Sequence, residues 1–289
     1  MSKIISENDL LKEQLTQRLV DVMPNIEKSV LDEVFKILDN LDTSNGEFIT
    51  GPLTLDKLLE FSTAIDKALS TSRYGESVNL FISDFGKVTI NSSTLLEDIG
   101  GYSIQKLPLS EIEKKWKYKT RTQLLSSGVA NDFKTPILNI LDEAISYGGS
   151  IDRAKKNLSE FIIGNPDKAG RLQSYSTQIS RDAIRGMQGQ QFSSIAANIG
   201  VAGWRYVGGT LKDTRGQCYH WVREMKGYIP DDQLAEEIRL AYKYQREKKV
   251  IDGVHKYGGM MENTTKKNFA SNCGGYNCTH TAAPVMKKP

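Results

Sequence analysis

The sequence predicts an α+β protein, mainly helical, with a helical N-terminal region over residues 1–130 and a small mixed α+β C-terminal domain over residues 131–289. Three observations predict it. Apolar residues recur at three- and four-residue spacing through the early chain, the mark of amphipathic helices. Sustained alternation is missing there, apart from the short stretch GKVTINSS (86–93). From Gly200 onward, aromatic and β-branched residues stand between glycines, as in short strands and turns.

The elements follow in order. Ile26, Val30, Val34, Ile37, Leu38 and Leu41 form one apolar stripe. Pro24 is tolerated in a first turn, so this helix starts near Met23. TSNGEF (43–48) is a turn signal. A second amphipathic helix opens at Thr54 and carries Leu55, Leu58, Leu59, Ile65 and Leu69, until SRYGES (72–77) breaks it. Val78, Phe81, Ile82 and Phe85 mark a third. A long polar helix over about 109–127 contains EIEKKWKYKTRTQLL, with Gly128 as its stop. Thr135-Pro136 starts the next, with proline at the first helical position. GGS (148–150) caps that helix and starts another over 151–163, which Gly164-Asn-Pro-Asp ends. A Ser-, Gln- and Arg-rich helix is expected over about 168–199, a strand through GVAGWRYVGG, and a basic helix over about 231–250.

Composition narrows the function classes. Of 289 residues, 39% are hydrophobic and 25% charged, which is a soluble globular balance rather than a disordered one. No run approaches the roughly 18 apolar residues a membrane span needs. No apolar segment follows the first lysine, so a cytoplasmic compartment is expected. Residues 1–100 carry 9 basic and 17 acidic residues, and residues 101–289 carry 29 and 18. An acidic front and a basic back imply different neighbours. Residues 239–267 hold eight Lys or Arg against three acids, with Tyr242, Tyr244 and Tyr257 interleaved. Such a run suits a nucleic-acid surface, an acidic protein ring or a plain solvated face, and KKWKYKTR (114–121) poses the same choice.

All three cysteines lie beyond residue 217, an odd count that makes no disulfide framework. They fall in two segments, Cys218-Tyr-His220 and Cys273-Gly-Gly-Tyr-Asn-Cys278-Thr-His280. In an extended chain residues i and i+2 point to one side, so each Cys-x-His pair offers two ligands together. Cys218, His220, Cys273, Cys278 and His280 thus supply five soft or borderline donors where zinc needs four. The competing reading is buried, unreactive cysteine with His220 bonded locally. Either way, residues 273–280 are expected to fold back beside residues 213–221, because a domain of this size buries its ends only when something ties them down. Asp213 and His220 offer an acid–base pair. The preferred reading is structural, with Asp213 capping a turn and Arg215 pairing with a carboxylate.

The motifs of the C-terminal half, taken together, resemble the phage Mu F-like family of minor head, or head morphogenesis, proteins. The matching parts are the helix ISRDAIRGMQGQQF (179–192), the tryptophan strand GWRYVGG (203–209), Asp213-Thr-Arg215 followed by His220, and the closing NCGGYNCTHTAAPV (272–285). GGSIDRAKKNL (148–158) is similar to the helix start that precedes the domain in such proteins. The likeness covers about residues 135–286 and is loose before that. One departure is the closing segment, stretched to Cys273-x4-Cys278-x-His280 where the family often has a Cys-x-Cys or Cys-x-His pair. The resemblance implies a structural protein of a tailed-phage virion, near the portal vertex, active in head morphogenesis, assembled in the host cytoplasm and in some members travelling with the DNA. It implies portal and capsid proteins as partners, DNA along the basic surface, no membrane and no catalytic residues. The alternatives weighed against it are a metal-dependent nuclease or toxin-like enzyme using Asp213, His220 and His280, and a sequence-independent DNA-binding accessory protein.

Overall fold

The computed structural model describes residues 2–49, 55–100, 109–276, 278 and 280–286. The protein is mainly helical α+β. The chain begins with α1 (Ser2–Val20) and α2 (Met23–Leu38), then a hairpin of β1 (Thr43–Ser44) and β2 (Glu47–Phe48). Next come α3 (Leu55–Thr71), α4 (Tyr74–Ser83), α5 (Phe85–Gly100), α6 (Leu109–Leu125) and the single turn α7 (Ser127–Val129). A π-helical turn over 130–134 leads into α8 (Thr135–Ser146), followed by α9 (Ile151–Ile162). A hairpin of β3 (Gly164–Asn165) and β4 (Lys168–Ala169) precedes α10 (Arg171–Ile199). The last part runs β5 (Val201–Val207), α11 (Gly216–Tyr219), a second π-helical turn over 220–224, β6 (Tyr228–Pro230), α12 (Leu234–Arg246), β7 (Val250–Ile251), β8 (His255–Lys256), α13 (Phe269–Asn272) and β9 (Thr281–Met286). No helix among the described residues is long and apolar enough to cross a membrane.

The chain forms two compact units. One comprises Leu15–Ser83 and Lys119–Ile179. It is built on the stripe read from the sequence, with Ile26, Val30, Val34 and Leu38 of α2 buried, and with Phe61 and Ile65 of α3, Ile137 and Leu141 of α8, and Leu158 of α9 also in its core. Ser150 caps α9 by accepting from the Arg153 amide, as GGS suggested. Helix α10 starts without a side-chain cap of its own, because Gly170 precedes it. Glu27 supplies one instead: its carboxylate accepts the Gln173 amide at 2.8 Å. Burial raises the Glu27 pKa to about 7, against those amide bonds.

The other unit comprises Met1–Gln14, Asp84–Tyr118 and Ser180–Pro289. Its sheet is antiparallel with order β6-β5-β9, so β5 is central. Trp204 pairs with Ile229 on one side and Pro284 on the other, and Tyr206 pairs with Ala282. Pro284 is tolerated because β9 is an edge strand and needs no donor on its outer side. Trp204 and Tyr206 point to one face and are buried with Trp221, Phe192, Phe269, Leu234 and Ile238. Their rings meet edge-on, Tyr206 to Trp221 at 5.1 Å and Trp221 to Phe269 at 5.4 Å between centroids.

Several expectations are corrected. Residue 130 does not divide these compact units; it falls within Lys119–Ile179, which belongs to one of them. GKVTINSS is part of α5, where Phe85, Val88 and Ser92 are buried at helical spacing while Ile90 is 69% exposed. Its alternation is a coincidence of three residues. Gly128 does not stop a helix; it lies in α7, which leads through the π turn into α8. Gly164-Asn-Pro-Asp forms the β3–β4 hairpin, so α10 begins at Arg171 rather than 168. The second amphipathic helix is present, but its proposed opening residue Thr54 lies outside the described residues. Helix α1 falls in the region expected to be helical, although the sequence reading assigns no helix before Met23; Leu15 and Leu19 stand one turn apart in it.

Candidate metal centre

Four segments build the centre. Strand β5 brings Tyr206, α11 brings Cys218, the turn after α13 brings Cys273, and the approach to β9 brings Cys278 and His280. All five side chains are buried, His280 to 5% exposure. Among the described residues, Cys218, Cys278 and His280 each offer a ligand atom, and these atoms lie within 4.8 Å of one another. This buried cluster can hold a metal. Cys278 Sγ lies 3.5 Å from His280 Nδ1 and accepts the His280 amide at 3.4 Å. The Tyr206 hydroxyl lies 3.2 Å from Cys218 Sγ. The Tyr206 and His280 rings stack at 5.5 Å with only 9° between their planes. His280 Nε2 is buried with no hydrogen-bond partner.

Gly274 is required by close approach. A Cβ there would overlap Cys278 Sγ, so no other residue lets the turn fold against the sulfur. Arg215 fixes the same turn from α11's side, donating to the carbonyls of Gly274 and Tyr276. The structure therefore brings the described residues of 273–280 beside residues 213–221, as expected. Arg215 does this through carbonyls, not through the carboxylate the sequence suggested.

The sulfurs are electrostatically unequal. The Cys218 thiol donates toward Cys278, which holds Cys278 well below the usual thiol range, and a bond from His280 adds to that. Cys218, carrying the shared proton in a buried site, is pushed up. Burial lifts Cys273 to about 12.

His220 is not brought to this cluster. The same-side argument for Cys218 and His220 assumes extended chain, but residues 216–224 are helical, which turns the two side chains roughly 200° apart. His220 instead sits between Glu224 at 2.5 Å and Glu237 at 3.0 Å, and the Trp221 indole donates to the same Glu237 oxygen. The bond with Glu237 raises the His220 pKa and lowers that of Glu237. These residues line a cavity of about 270 Å³ with Tyr244, Lys249 and Tyr257. Asp213 is exposed, and no hydrogen bond joins it to His220.

Half of the basic run is answered from within the fold. Arg239 pairs with Glu236, Lys266 with Asp231, and Lys243 with Glu247. Lys249 lies 3.7 Å over the Tyr244 ring. In KKWKYKTR, Lys114 and Lys117 pair with Glu111 and Glu113, and Trp116 donates to Gln190.

The sequence reading missed Tyr206, Arg185 and Glu237. Tyr206 is two residues after the tryptophan of the strand, the position that alternation assigns to the same face. Arg185 and Glu237 gave no signal, since each sits in a polar helical stretch. Comparison with family models finds no match, comparison with curated proteins finds no match, and comparison with solved structures finds no match.

Proposed function

We propose that this chain is a structural minor head protein of a tailed phage, bound near the portal vertex and acting in head morphogenesis. The observation that supports this reading most is where the resembling motifs go. The helix 179–192 from Ser180 onward, the strand 203–209, Arg215 and the closing segment are parts of one unit, while 148–158 belongs to the other, and apart from the exposed Asp213 and the half-buried His220 the signature residues of that one unit are spent on its interior. Trp204 and Tyr206 pack the core, Arg215 ties down the closing turn, and Cys218, Cys278 and His280 are buried. A signature consumed by packing fits a protein that holds a shape. A nuclease needs base, metal and phosphate-binding cation in one open cleft, and Asp213 and His220 do not make that pair. In this reading any metal at the cysteine–histidine cluster is a structural zinc, and the exposed lysines contact portal protein, capsid protein or packaged DNA.

Co-sedimentation of the purified chain with the portal ring of the genome that encodes it tests the reading. Comigration with the ring at physiological salt supports it. Failure to comigrate, together with metal-dependent cleavage of DNA, replaces it with the enzyme.

A further inference from the structure

We infer that Cys218, Cys278 and His280 bind one zinc ion, that Cys273 supplies the fourth ligand, and that Arg185 balances the charge of the resulting site. This inference rests on the structural role proposed for the cluster. Tetrahedral zinc, with bonds of about 2.3 Å to sulfur and about 2.0 Å to nitrogen, sets its ligand atoms roughly 3.5–3.8 Å apart. Cys278 Sγ and His280 Nδ1 already stand at 3.5 Å, and Cys218 Sγ shares the same 4.8 Å neighbourhood. One edge of the tetrahedron is thus at its closing length, and the two edges from Cys218 are no longer than 4.8 Å.

Cys273, outside the group of three whose ligand atoms lie within 4.8 Å of one another, is the fully buried sulfur nearby. It follows α13 directly, and it and Cys218 both lie within reach of the Tyr206 hydroxyl. Its Sγ also makes a weak 3.9 Å contact to the Ala270 carbonyl. The Tyr206 hydroxyl and the His280 amide are placed to donate to ligand sulfur, the outer-shell bonds that hold thiolates at a metal.

Arg185 supplies the independent observation. Its guanidinium is buried on α10, and its Nε and Nη1 have no hydrogen-bond partner. Its nearest ion pair, to Asp182, is long at 3.7 Å. On α10 it stands one turn before Gly189, where a Cβ would overlap Ala270 and Ser271, the residues that lead to Cys273. A buried cation with two unanswered N–H groups is costly unless an anion faces it. Zinc with three thiolates and a neutral imidazole carries one net negative charge, and Arg185 carries one positive.

The test uses the full chain, purified without added metal. Elemental analysis is expected to find about one zinc per chain, and titration of the wild type with a mercurial is expected to release that zinc as three thiols react. After exchange with Co²⁺, a sulfur-to-cobalt charge-transfer band is expected, falling by about a third in Cys273→Ser. His220→Ala is expected to keep the metal, and Arg185→Met to weaken zinc binding about tenfold or more. A wild-type chain that holds neither zinc nor cobalt on dialysis overturns the site. Zinc release with two thiols overturns Cys273 as ligand, and unchanged affinity in Arg185→Met overturns its role. Metal-free chain that still comigrates with the portal ring sinks this inference alone; metal-loaded chain that does not comigrate sinks the head-protein reading alone.

Discussion

Arg215 Nη2 donates to the backbone carbonyl of Tyr276 over 2.6 Å, joining α11 to a turn 61 residues further along the chain. The same guanidinium also serves the Gly274 carbonyl. One fork thus closes the loop that carries two of the three cysteines. Arg215→Ala should destabilise the protein by about 2 kcal/mol, since hydrogen bonds from a charged donor are lost and carbonyls are left unanswered. Arg215→Lys should recover less than half, because an ammonium cannot span both carbonyls as a planar fork does. Urea denaturation measures both; an unchanged midpoint in Arg215→Ala would mean that the closing turn is held by other contacts.

Glu237 accepts from His220 and from the Trp221 indole through one oxygen. Trp221 is fully buried, so its N–H has no water to turn to. Glu237→Ala should cost about 1–3 kcal/mol and Glu237→Gln clearly less, because the amide oxygen still accepts the indole proton. Equal losses in the two variants would place the effect on charge rather than on the indole bond.

Glu27 gives the clearest dependence of stability on pH. Its pKa is raised from 4.5 to about 7, so between those values the folded chain binds more protons than the unfolded chain. Stability from this group is therefore greatest below about pH 4.5, falls as pH rises to about 7, and is level above that. The span is up to about 3 kcal/mol. Glu27→Gln should remove that slope while keeping an acceptor for the Gln173 amide. Thermal melts of both proteins across the range check it, and parallel curves would contradict the assignment.

If the basic surface meets DNA, it does so through phosphates. Binding should then be sequence-independent and should weaken roughly fortyfold between about 50 and 200 mM salt for three phosphate contacts. Reversing Lys248 and Lys249 together should weaken all sequences alike. Fluorescence anisotropy with unrelated duplexes reads this directly, and affinity indifferent to salt would exclude the mode.

The residues that the sequence made legible are those whose neighbours repeat. The stripe of α2 and the Ser150 cap could be read because spacing and capping chemistry are local. The fold-back of residues 273–280 could also be anticipated, because the cysteines and histidines gather in two short segments. Helix α10 misled for a physical reason. Its Arg185, Gln188 and Gln191 look like solvent-facing residues, yet they are buried, with Gln188 donating to Ser92 and Gln191 to Thr89. Its Gly189 lies where a Cβ would overlap the Ala270 carbonyl, so the helix is thin there in order to admit α13. No periodicity reports a buried polar face. His220 was misplaced because a rule for extended chain was applied to a helical turn.

The central claim is that this chain is a structural part of a phage particle. Mass spectrometry of DNA-filled particles, purified by density gradient from the cells that produce the protein, tests it most directly. The account predicts that the chain bands with the particles and stays with them through a second gradient. Intact, DNA-filled particles that lack it, with the chain left in the soluble lysate, would contradict the account.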